Sequence, residues 1–271
     1  MHIEMTFGIS HKIIASVVLL ALAGVGAVYL PSCAGRGGGS FGVDSLVYER
    51  SWALKESMEN DPLGGRSHFY VKIDYPKQAG DTSERYLVDS VSAWLSNQLL
   101  PEEGSPVMSK KVLEVAANTF FGDTDGNEWG EEVSYSLRKT YEDGEYLSYE
   151  KNRYSYNGGA HGSYSVSGAT FRKSDGSRVE WSDIETGDEL RRRVTEELRR
   201  TKGEEDEAVF KASILADAED CTLGDGTFAL PLPEATPWLT EQGWAFTYQP
   251  YEILPWCHGA PACCIRELKV E

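Results

Sequence analysis

Residues 156–165 read YNGGAHGSYS, a run in which one histidine could do chemistry. His161 stands among Asn157, Gly158, Gly159, Ala160 and Gly162, with Tyr156 and Tyr164 outside them. A loop imidazole can serve as a general base when a carboxylate such as Glu252 lies nearby in space. An envelope-glycan hydrolase built on His161 would also need a nucleophile or a metal. GSYS is not the G-x-S-x-G elbow that presents a nucleophilic serine, and His68 and His258 are isolated in the chain. Loop mechanics account for the same residues. Two strands must be joined here, Asn157 and Gly158 accept positive φ, and Gly159 and Gly162 let backbones approach closely. A pocket lined by Tyr156, Tyr164, Tyr248 and Tyr251 would suit a small ligand rather than a reaction.

The cysteines offer a second candidate. Cys257 and Cys263 bracket CHGAPAC, which a disulfide could close as a hairpin in an oxidising compartment. Cys263 and Cys264 are adjacent, so on a strand they point to opposite faces and only one easily serves Cys257. A metal set of Cys257, His258, Cys263 and Cys264 has irregular spacing and lacks a CxxC, so no metal and no cofactor is expected. A third cluster, Arg191, Arg192, Arg193, Arg199 and Arg200, lies among Glu189, Glu196 and Glu197. Without a glycine-rich cradle it reads as a solvated helix rather than a phosphate site.

These residues need a scaffold. Ser45–Lys55 and Ser67–Pro76 read as strands; in the second, Phe69, Val71 and Ile73 alternate with Tyr70, Lys72 and Asp74. A helix over 83–100 carries Leu87, Val91, Trp94, Leu95 and Leu99 on one face, with Ser83 as its N-cap. A second helix, about 107–120, presents Val112, Ala116 and Phe120. Strands follow at 131–141, 146–156, 163–173 and 178–181, with Asp143-Gly144 and Asp175-Gly176 as turns. Thr186 and Glu189 form a capping box for a helix over 186–200, and 204–215 is helical. Short strands at 227–234 and 243–255 close the chain, with Trp244, Phe246 and Tyr248 on one face. The expected class is α+β: antiparallel sheets with packed helices in two subdomains, 44–125 and 126–271.

The first 32 residues are unlike the rest. Lys12 precedes an uncharged run, 13–30, that ends in LPSC at Cys33. That describes an export signal whose end resembles the lipobox of bacterial lipoproteins, where the cysteine is acylated and becomes the new N-terminus. The run is also long enough to span a bilayer uncleaved. Residues 33–43 read as a flexible tether. Several acyl chains hold a protein firmly, at about 0.8 kcal/mol per buried methylene. With twelve residues before the apolar run, no cytoplasmic domain is expected there. The expected location is the cell envelope, lipid-anchored and extracytoplasmic. The net charge of −17 repels nucleic acid and attracts a cationic partner.

YNGGAHGSYS, then WSDI before a capped helix, then GWAFTYQPYEILPWCHG with a final strand together resemble the RsiV-type extracytoplasmic domain of a lysozyme-sensing anti-sigma factor and of deacetylase-associated relatives. FYVKIDYP followed by a helix is similar to the smaller domain that often precedes it. The resemblance covers most of 45–271 and implies an α+β fold whose studied role is capture of lysozyme. As family motif positions it implies binding at Asn157, Gly158, Gly159, Ala160, His161, Gly162, Tyr248, Tyr251 and Glu252. Neither a segment for gripping a sigma factor nor a deacetylase domain is expected beside them. The expectation is a non-catalytic binding protein for lysozyme or another envelope ligand such as a glycan. A purely structural envelope component fits the same residues.

Overall fold

In the computed structural model, residues 40–53, 66–77, 84–100, 108–121, 130–204, 206–216 and 219–271 are described. Strand β1 (Val43–Ala53) pairs antiparallel with β2 (Arg66–Pro76). Alternation in β2 places Phe69, Val71 and Ile73 in the core and leaves Tyr70 and Lys72 half-buried. Helices α1 (Arg85–Leu99) and α2 (Lys110–Phe121) follow. All five residues of α1's expected apolar face are buried, with Trp94 against Tyr149 and Phe171. Ser83, the expected cap, lies outside the described residues; Glu84 occupies the N-cap position and makes no side-chain cap.

Strands β3 (Glu132–Glu142), β4 (Tyr146–Tyr156) and β5 (Ser163–Arg172) run as a meander. The sheet order is β1-β2-β3-β4-β5. The class is α+β, as expected, but the sheet is mixed because β2 and β3 are parallel. Their connection carries two helices and returns to the starting edge, which a hairpin cannot do. The sheet therefore draws β1 and β2 from before residue 126 and β3–β5 from after it.

On the other face of β4 and β5 lies a second sheet, β6 (Trp238–Thr240), β7 (Gly243–Thr247) and β8 (Ala262–Ile265), all antiparallel. Helix α3 (Asp188–Lys202) packs on β8, and α4 (Glu207–Ser213) follows it. Leu190, Val194, Leu198, Phe246, Tyr248, Ile253 and Leu254 form this core. The indole of Trp238 lies flat on Gly168 of β5, where a Cβ would penetrate the ring. Leu239 N donates to Thr170 Oγ1 at 2.8 Å, and Thr170 Oγ1 bonds Ser148 Oγ at 2.9 Å beneath it.

Several local expectations fail at the boundaries of elements. Gly187, not Thr186, caps α3, with no side-chain bond; the capping box belongs to Glu180 and Asp183 around a 3-10 turn at Trp181–Asp183. The stretches 178–181 and 227–234 contribute single bridges, Phe171↔Arg178 and Thr222↔Phe228, instead of strands. Asp206 caps α4, accepting from Ala208 N and Val209 N. No helix among the described residues is long and apolar enough to cross a membrane, and the 1–32 leader and most of the tether lie outside them.

Candidate binding site at the mouth of the β4–β5 hairpin

The connection between β4 and β5 turns on Gly158 (φ 88°) and Gly159 (φ 97°), so Asn157 is not one of its left-handed residues. Tyr156 Oη donates to Gly159 O at 3.0 Å and closes the turn. Gly162 is needed for a different reason: a Cβ there would sit 2.5 Å from the Tyr154 ring. The loop thus lies against its own strand and holds His161 and Ala160 at the surface.

His161 meets the tail of the chain. Its Nδ1 lies 3.0 Å from Gly162 O and its Nε2 lies 3.3 Å from Tyr251 Oη. The imidazole stacks on Trp256 with centroids 4.2 Å apart and planes inclined by 21°. Tyr164 meets the same indole edge-on and donates from Oη to Trp256 O at 3.3 Å. Burial, and secondarily the nearby Cys257, raise the pKa of the Tyr164 phenol, which stays a protonated donor. Trp256 Nε1 is buried and has no acceptor among the described residues. Tyr251 is 58% exposed and has φ 71°, the one non-glycine residue with positive φ among the described residues. A bulky side chain in that conformation is strained.

The 248–258 segment is pinned from below. Gln249 acts as an extra strand residue on the edge of β5: its Oε1 accepts from Val166 N at 3.1 Å and its Nε2 donates to Val166 O at 2.7 Å. Glu252 Oε1 accepts from Glu234 N at 2.8 Å and Oε2 from Gln249 N at 2.6 Å. Tyr251 N donates to Leu254 O at 3.0 Å. Tyr251 is held against His161 by these bonds.

Three sequence expectations are corrected by this geometry. Glu252 ties two loops and does not bond His161, whose partners are a carbonyl and a phenol; a general-base pair is not assembled. Tyr248 lines no pocket: it is fully buried, with Oη donating to Pro231 O at 2.8 Å. Cys257 and Cys263 do not form a bridged hairpin. Residues Trp256–His258 form a 3-10 turn, Cys257 is exposed, and Cys263 is buried with Sγ 3.6 Å from Val194 O; both are free thiols. Burial pushes the Cys263 thiol up to about 12. Among the described residues no three metal-ligating groups converge.

The arginines bind protein. Arg191 reaches Asp220 O, Ala229 O at 2.7 Å and Leu230 O at 2.9 Å; Arg193 donates to Glu267 O, and Arg192 pairs with Asp225. The sequence reading of the loop missed Trp256 and Gln249. The only signal for Trp256 was an aromatic after Leu254-Pro255, and Gln249 had none.

The site is an aromatic shelf on an α+β scaffold, with His161 and Tyr251 exposed and Trp256 half-buried between them and the fold. Solved structures of the same fold include two DUF3298 family proteins. One, from Bacteroides fragilis NCTC 9343, is 19% identical, covers 84% of this chain and 91% of its own, and superposes with a TM-score of 0.64. The other, from Pseudomonas aeruginosa PAO1, is 15% identical over 83% of this chain and 90% of its own, with a TM-score of 0.55. No family model matches the sequence, and no curated protein does.

Proposed function

We propose that the chain is a membrane-tethered, extracytoplasmic binding protein of the RsiV-type kind, non-catalytic, that captures lysozyme or another cell-envelope ligand on the His161–Tyr251–Trp256 shelf. One observation carries this reading: Tyr251 holds a strained φ of 71° while its ring stays 58% exposed and bonded to His161. Folding alone gains nothing from an exposed ring at a strained position, whereas a surface that grips a partner does. The leader supplies the location: export, acylation at Cys33, and an outward-facing globule. The charge of −17 suits a cationic partner.

Purified residues 40–271 are mixed with lysozymes at low and at high salt, and separately with insoluble envelope glycan. A retained complex in one arm is expected, and Tyr251→Ala and Trp256→Ala should each weaken it about tenfold or more. No complex in either arm removes the reading. A folded His161→Ala protein that loses a measured glycan hydrolysis would replace it with the hydrolase.

A further inference from the structure

The β4–β5 hairpin has a second face, and its chemistry is opposite. Strand alternation sends Tyr154 and Tyr156 one way and Tyr149, Lys151 and Arg153 the other, toward α1. Tyr149 is buried beneath Trp94. Lys151 Nζ donates to Gln98 Oε1 at 2.9 Å, near the end of α1 at Leu99. Arg153, two residues on, donates from Nε to Tyr135 Oη at 3.2 Å and lies 5.8 Å from the centre of that ring. Ser167 stands directly across the strand from Lys151, and Ser165 from Arg153, so their side chains share this face.

Among the described residues, no negative charge faces this pair. Lys139, Lys173, Arg172, Arg192 and Arg200 each have a carboxylate within 4.0 Å. Among the described residues Lys151 and Arg153 have none, in a protein with 43 acidic side chains and 26 cationic ones. Both are half-buried. Burial, and then the charge of Arg153, lower the pKa of Lys151. Two like charges out of full solvent are costly, and an anion between them would relieve both burial and repulsion. Both Nη groups of Arg153 lack a protein acceptor among the described residues, leaving the planar fork that matches a carboxylate free. The place is mid-strand, so no helix N-terminus or glycine nest supplies the amides that phosphate sites use.

We propose that Lys151 and Arg153 form a binding site for a carboxylate-bearing ligand, seated between the ammonium and the guanidinium fork with the Ser165 and Ser167 hydroxyls beside it. The site stands on its own geometry and does not depend on the aromatic shelf.

The full chain in a non-ionic detergent is treated with a limiting amine-acylating ester, and each lysine is quantified by mass spectrometry. Acetate or inorganic phosphate is added at constant ionic strength, with chloride as the balance. Acetate should slow acylation of Lys151 saturably, roughly threefold at twice its dissociation constant, while Lys139 and Lys173 keep their rates. Arg153→Gln should abolish the protection and Arg153→Lys should weaken it, since the charge remains and the fork does not. Uniform slowing of all lysines, or protection that survives in Arg153→Gln, overturns the site. Protection by phosphate and not by acetate overturns the ligand class. A Lys151 that resists the reagent altogether is closed to solvent and overturns the site equally. Loss of lysozyme or glycan capture with Lys151 protection intact would sink the proposed function alone.

Discussion

Glu142 shows what single side chains contribute. Its carboxylate accepts from Lys139 Nζ at 2.5 Å, Lys173 Nζ at 2.9 Å and Phe41 N at 2.8 Å, tying the start of the globule to the end of β3. Burial by itself would raise its pKa; the bonds from Lys139, Lys173 and Phe41 outweigh that and bring it from 4.5 to about 2. A carboxylate with a lowered folded pKa stabilises fully above its unfolded value. That contribution is lost as pH falls from about 4.5 through about 2. Glu142→Gln should cost about 2 kcal/mol at neutral pH and flatten the acid limb of the melting curve; an unchanged limb would refute the assignment. Tyr251→Gly makes the opposite trade. Removing the strain should stabilise the fold by about 1 kcal/mol while weakening capture on the shelf. Calorimetry and binding on the same sample check both signs.

Elements are joined by two devices invisible to periodicity. Gly168 lets β6 lie on β5, and Gly168→Ala should lower stability by about 1–3 kcal/mol because the Trp238 indole is fixed by backbone pairing with Ala245 and cannot simply withdraw. Arg191 joins α3 to the 220–230 segment through three carbonyls. Arg191→Lys keeps the charge but not the fork, so limited proteolysis within 220–230 should accelerate about tenfold, the equivalent of about 1.4 kcal/mol of local opening. The apolar faces of α1 and β2 were legible because burial itself writes their periods. The start of α3 was not, because Thr186 and Gly187 are both acceptable ends and Gly187 takes the N-cap place without any side-chain bond. The 227–234 stretch alternates like a strand, yet it finds only one bridging partner, at Thr222.

At the scale of the molecule, two cores share one hairpin. The first lies between the five-stranded sheet and α1 and α2; the second lies under α3 and the three-stranded sheet. Residues of β4 and β5 face both, which puts the aromatic shelf and the cationic pair back to back on one element. If charge steers the proposed capture of lysozyme, the complex should form more slowly by about tenfold or more as salt is raised, with a smaller effect on its lifetime. Stopped-flow association at several salt concentrations checks this; a salt-independent on-rate would mean that charge does not steer the encounter.

Residue order alone determined the α+β class, most strand and helix bodies and the loop that carries His161. Each of these is written in local chemistry: the period of apolar residues and turn glycines. Tertiary structure decided the parallel pairing of β2 and β3, the burial of Tyr248, the structural use of Glu252, the separation of Cys257 from Cys263, and the meeting of His161 with Tyr251 and Trp256. Those outcomes join residues up to 95 positions apart, and no local pattern carries the distance between them.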